Sequence, residues 1–142
     1  MRIAVGSDHA GYELKEWVRG LLTSLGHEVE DVGTDGESSV DYPDFARAAC
    51  VKVLDGEADR AVLVCGSGVG MSMAANRFRG IRAVLCMDLY LARFSRLHND
   101  ANVLCLPGRL MGKGLAEEVV RTWLETPFEG GRHQRRVEKM DL

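Results

Sequence analysis

This chain lacks an excess of positive charge. Its 18 Lys and Arg stand against 21 Asp and Glu, for a formal net charge of −3. That balance argues against broad nucleic-acid affinity. No apolar run approaches the ~20 residues of a membrane span, so no spanning helix is expected. The opening Met1-Arg2-Ile3-Ala4-Val5-Gly6 reads as the start of a strand and lacks the layout of a secretory leader. There is no CxxC pair. Cys50, Cys65, Cys86 and Cys105 are spaced neither as zinc ligands nor as a disulfide framework, which predicts a reducing, cytoplasmic setting. With only three prolines and no internal repeat, no segment reads as low-complexity.

What is present suits one domain spanning 1–142, with 46% hydrophobic and 27% charged residues. A chain of this length buries about two-thirds of its unfolded surface. Apolar strand-like runs alternate with helical patterns from end to end. Strands are predicted at Arg2–Val5, Val29–Val32, Ala61–Val64, Arg82–Leu85 and Val103–Leu106. Leu14, Trp17, Val18, Leu21, Leu22 and Leu25 recur at helical spacing, and Gly26 stops that helix. Further helices are predicted from Asp41-Tyr42-Pro43 to about Leu54, and over Gly68–Asn76, Leu89–Leu97, Gly112–Leu124 and Arg132–Met140. Repeated βα units imply an α/β fold, with a parallel sheet covered by helices on both faces. Ligands in such sheets gather beyond the carboxyl ends of the strands.

Val62-Leu63-Val64-Cys65-Gly66-Ser67-Gly68-Val69-Gly70 is the most informative stretch. A buried strand ends in a thiol, and a glycine turn then opens a helix. Amide groups at a helix start have no intrahelical partner, so they favour an oxyanion and a thiolate. The spacing is neither a dinucleotide fingerprint nor a P-loop. Asp8-His9 follows the first strand and suits proton shuttling or sugar binding, although an Asp cap with a surface His would look the same. His98-Asn99-Asp100 ends the helix after the fourth strand, and reads as an acid–base pair or as a simple cap. Arg132 and Arg136 share one helix face, and two guanidinium groups there suit a phosphate dianion, although a solvated basic face would look the same; Arg109 offers a third charge. Gly130-Gly131 would let that helix swing over a site. Asp8, His9 and Asp88 make no recognisable metal-ligand set.

Taken in order, these motifs resemble the ribose-5-phosphate isomerase B family, itself similar to the subunits of galactose-6-phosphate isomerase. The likeness runs from Gly6-Ser7-Asp8-His9-Ala10-Gly11 to Gly130-Gly131-Arg132-His133-Gln134. It passes through Asp41-Tyr42-Pro43, the Cys65–Gly70 loop, Asn76-Arg77-Phe78, Gly80-Ile81-Arg82-Ala83 and Ser95-Arg96-x-His98-Asn99-Asp100. The resemblance implies a three-layer α/β/α sandwich with a five-stranded parallel sheet ordered 2-1-3-5-4. It implies an aldose–ketose isomerase with no cofactor or metal, acting on a phosphorylated sugar. It also implies a homodimer or dimer of dimers whose sites use both subunits. Cys65 would be the base, His98 would open the sugar ring, and Ser67 would assist the thiolate. Asp8, His9, Tyr42, Asn99 and the loop Gly66, Ser67, Gly68, Val69 and Gly70 would contact the sugar. Arg109, Arg132 and Arg136 would hold the phosphate, the last two on a C-terminal arm, 126–142. Some relatives carry a glutamate at the position of Met71 and no cysteine at that of Cys65, so this chain resembles the cysteine-using branch. A six-carbon substrate such as allose or galactose 6-phosphate is the alternative within enzymes. A phosphosugar-binding sensor on the same scaffold would need neither Cys65 nor His98.

Overall fold

The computed structural model describes residues 1–141. In chain order the elements are β1 (Arg2–Ser7), α1 (Tyr12–Ser24), β2 (Glu28–Asp31), α2 (Tyr42–Leu54), β3 (Arg60–Cys65) and α3 (Val69–Ala75). They continue with β4 (Ala83–Leu85), α4 (Leu89–Leu97), β5 (Val103–Pro107), α5 (Lys113–Glu125) and α6 (Arg132–Glu138). Where the sequence predicts helix to Met140, the chain tightens into a 3-10 turn over Lys139–Asp141. All strand pairs are parallel, and the sheet order is β2-β1-β3-β5-β4.

Alternation along the strands sorts the core into two layers. Ile3, Val5, Val62, Val64, Leu104 and Leu106 face α1, α4 and α5. Ala4, Ala61, Leu63, Cys65, Val103 and Cys105 face α2 and α3. Cys65 therefore points toward α3, in the same layer as Met71. The resulting three-layer α/β/α sandwich agrees with the sequence reading. No helix among the described residues is long and apolar enough to cross a membrane.

Lys15 is the departure from the helical pattern, for it is buried on the core face of α1. Its ammonium bridges the Asp31 carboxylate at 2.8 Å and the Thr34 carbonyl at 2.6 Å. Buried charge persists only when paired in this way. The pairing pins the segment after β2 against the end of β1, where Ser7 N–H donates to Gly33 O and Thr34 N–H donates to Ser7 O. The loop that rises from Thr34 toward α2 is thereby set beside Asp8.

Candidate active site

Parallel strands bring the segments that follow β1, β3 and β5 to one edge of the sheet. Asp8 N–H donates to Val64 O, Gly108 N–H to Cys65 O, and Arg109 N–H to Gly66 O. The turn after Cys65 closes through Gly68, whose φ of +76° lies in the left-handed region open to glycine. Ser67 Oγ accepts the Val69 N–H at 3.2 Å and so organises the start of α3. That bond occupies the Val69 N–H. The N–H groups of Ser67, Gly68 and Gly70 donate to no described residue, which leaves them available to an anion. Cys65 is nearly buried beneath them in the protomer, at 4% exposure.

Side chains from three other elements surround this turn. Asp8 is buried and accepts the Gly11 N–H at 3.0 Å, so it does cap the turn into α1. One carboxylate oxygen is used in this way and the other faces no described donor. His9 Nδ1 accepts the Val40 N–H at 3.2 Å. That bond assigns the proton of a neutral ring to Nε2, which is left as a donor. Tyr42, at the start of α2, lies against Gly70: a Cβ there would sit 2.7 Å from the ring. Arg109 crosses Gly66, where a Cβ would sit 3.3 Å from Nη1. Asp8, His9, Tyr42, Cys65, the Gly66–Gly70 turn and Arg109 are thus assembled by one chain.

His98, Asn99, Arg132 and Arg136 are not part of this assembly. In a βα crossover the helix begins at the carboxyl edge and runs back to the amino edge. His98 caps the far end of α4, which is roughly 13 Å long at 1.5 Å per residue. Three residues on, Ala101 leads into Asn102, which bonds Arg82 ahead of β4. Asn99 lines a cleft there with Arg82, Ser95, Met140 and Asp141. Nor does α6 swing over the Cys65 loop of its own chain, as the paired glycines suggest. Glu129 N–H donates to Leu97 O at 3.0 Å, and His133 stacks on His98 with centroids 4.1 Å apart. Arg132 and Arg136 project from this end, exposed and without a carboxylate within 4.0 Å among the described residues. A single chain therefore separates the expected base from the expected ring-opening group, and Arg109 from the arginine pair.

Burial pushes the other thiols up, Cys50 and Cys86 to about 12. Burial raises the Cys105 thiol as well. These three are core residues, as their sequence contexts predict. His98, Glu129 and His133 place three potential metal ligands within 4.8 Å of one another. The two rings are nearly parallel, at 12°. Their nitrogen lone pairs lie side by side instead of converging, so an ion would have to break the stack.

The family model for ribose/galactose isomerases matches residues 3–140. The chain belongs to the ribose/galactose isomerase family. It is 48% identical to ribose-5-phosphate isomerase B of Escherichia coli, over 96% of this chain and 92% of that protein. It is 45% identical to a putative sugar phosphate isomerase of Bacillus subtilis, over 99% and 95%. The crystal structure of a ribose 5-phosphate isomerase from Thermotoga maritima superposes with a TM-score of 0.97 at 56% identity, covering 99% of this chain and 97% of that one. The chain is an isomerase with the family's fold.

Within this family frame, Met71 takes on meaning. Its side chain is fully buried in the same cluster as Cys65. A carboxylate at position 71 would thus be buried in the same layer as the thiol. Two residues, one behind the Cys65 edge and one at the His98 edge, have roles that the sequence pattern does not show. Lys15 was hidden by an apolar helical pattern. His133 stood inside a recognised motif without a role, although its i,i+4 spacing from Glu129 was a signal.

Proposed function

We propose that this protein interconverts ribose 5-phosphate and ribulose 5-phosphate through an enediolate, without a bound metal. We propose further that it works in the cytoplasm as a homodimer or dimer of dimers. Each site would then join the Cys65 edge of one protomer to the His98 edge of its partner. The observation that carries the reading is the turn after Cys65, where a thiol ends a strand beneath three uncommitted amide N–H groups. The separation of the two residue groups in one chain favours a shared site. So does the apolar surface around the Cys65 edge: Met73, Tyr90 and Leu110 are each about two-thirds exposed. Exposed patches of this kind mark association surfaces.

The chemistry follows from these groups. The substrate is mostly a closed furanose. His98 of the partner subunit takes the proton from the anomeric hydroxyl and delivers it to the ring oxygen as the ring C–O bond breaks. Cys65, as thiolate, then removes the proton on carbon 2. The electron pair moves into the C1–C2 bond and the carbonyl oxygen becomes an enediolate anion. The N–H groups of Ser67, Gly68 and Gly70 hold that oxygen. Cys65 returns its proton to carbon 1, and the hydroxyl proton passes from O2 to O1. Ser67 keeps its hydroxyl hydrogen for the thiolate or a sugar oxygen, since its oxygen already accepts from Val69. Asp8, His9 and Tyr42 contact the sugar together with Asn99 of the partner subunit. Arg109 meets the partner's Arg132 and the partner's Arg136, carried on the arm 126–142, at the phosphate; Leu142 lies outside the described residues. Binding energy at the phosphate fixes the reacting carbons.

The test is a coupled assay with ribose 5-phosphate, allose 6-phosphate and galactose 6-phosphate, in excess chelator. Turnover of ribose 5-phosphate that survives chelation is the expected result. Activity confined to a six-carbon substrate would overturn the substrate assignment, and loss with chelator would overturn the metal-free reaction.

A further inference from the structure

We propose that His133 is the positioning residue of the ring-opening step, holding the plane of the His98 imidazole. This rests on the role given to His98 above. Two contacts confine His98, which caps α4. On one side is Phe94, one helical turn earlier, in an edge contact at 5.0 Å and 64°. Phe94 in turn packs on Tyr90 at 4.4 Å. On the other side is the flat face of His133, at 4.1 Å and 12°. The terminal torsion of an imidazole is broad, so a flat face stacked on the His98 ring restricts the plane it adopts.

His133 is itself held. Glu129 N–H is tied to Leu97 O at 3.0 Å, and His133 N–H to Gly130 O at 3.1 Å. Its ring is buried, at 4% exposure. Yet Nε2 has no hydrogen-bond partner among the described residues, and the closest carboxylate oxygen, on Glu129, is 3.7 Å away. A buried nitrogen without a partner is a cost that a carbocyclic ring would avoid. The stack on His98 is the interaction that its side chain does make. Burial pushes the His133 pKa down, His98 and Arg132 push the same way, Glu129 opposes, and Arg136 adds a smaller push down. The ring behind His98 thus stays neutral, and its face can support His98 while the latter carries the transferred proton.

The test separates ring opening from proton transfer between carbons. Ribose 5-phosphate must be opened. Erythrose 4-phosphate cannot close a five-membered ring, because its terminal oxygen is esterified. Three variants of the full chain, His133→Phe, His133→Leu and His98→Asn, would be assayed on both substrates by following ketose formation. Folding would be checked by thermal unfolding. His133→Phe keeps a flat face and His133→Leu fills the space without one. The expected result is that His133→Leu lowers the ratio of ribose to tetrose kcat about tenfold or more, the scale of a misplaced catalytic group. His133→Phe should leave that ratio near the parent value, and His98→Asn should lower it further than His133→Leu. Equal losses on both substrates for His133→Leu, or equal ratios for Leu and Phe, would overturn the positioning role while the role of His98 stood. A His98→Asn variant that lost both substrates equally would instead overturn the ring-opening role, and this proposal with it.

Discussion

Cys65 and His98 stand at opposite edges of one sheet. Cys65 is paired with Pro107 at the last rung between β3 and β5. His98 ends α4, just before Asn102 joins Arg82 ahead of the first rung between β4 and β5. Four residue steps of strand, at about 3.3 Å each, separate those rungs. Neither side chain can reach the other within a protomer, and this one relationship shapes how the reaction must be tested.

Mixing two inactive proteins is the direct check on a shared site. Cys65→Ala and His98→Asn each remove one half. Co-refolded in equal amounts, half of the dimers are mixed, and each mixed dimer carries one intact site. Activity should return to about a quarter of the parent value, as random two-fold pairing requires. No recovery over either variant alone would show that each chain supplies a complete site.

Cys65→Ala on its own should abolish isomerisation while leaving phosphosugar binding intact. The arginines and the open amides proposed to hold the substrate are untouched by that change. Calorimetric titration with ribose 5-phosphate, beside the coupled assay, reads both quantities. Normal turnover would rule out the thiol as base.

Two glycines in the same part of the chain should respond oppositely to alanine. A Cβ on Gly11 would collide with the carbonyl of Val64. Gly11 N–H also holds Asp8. Gly11→Ala should cost roughly 1–3 kcal/mol by overpacking and weaken substrate binding through Asp8. Gly20, on the exposed face of α1, has nothing within 4 Å of its would-be Cβ. Gly20→Ala should add roughly 0.5–1 kcal/mol through helix propensity. Urea unfolding of the two variants checks both signs.

Alkaline stability should follow the core thiols. Burial pushes Cys50 and Cys86 up from 9.0 to about 12 in the folded protein, and it raises Cys105 as well. Above about pH 9 the unfolded chain loses these protons while the folded chain keeps them. The unfolded state then binds fewer protons, so stability falls as pH rises. The urea midpoint should decline from pH 9 to pH 11, and Cys105→Ala should flatten that decline. A midpoint independent of pH in this range would contradict the burial of these thiols.

Much of the architecture was legible in the residues. Alternating βα patterns, β-branched strands ending in Gly6, Cys65 and Pro107, and the rule that ligands gather beyond strand ends placed Asp8, Cys65 and Arg109 together. The shift of β1 and β3 by one or two residues from the predicted spans reflects ladder bonds that continue after the apolar run stops. Lys15 was not legible, because the Asp31 and Thr34 oxygens that accept its charge are set by loop packing.

The sequence by itself determined the order of elements, the glycine turn that exposes amides above a thiol, and the kinds of group available for acid–base and phosphate chemistry. These are local, fixed by side-chain pattern and backbone sterics over a few residues. Only the tertiary structure decided which of those groups meet. Crossover helices carry His98 and the arginine arm back to the amino edge, and the stacking of His133 on His98 depends on two segments that no local pattern aligns. Distance along the chain does not encode which edge of a parallel sheet a helix end will reach; packing on the sheet does.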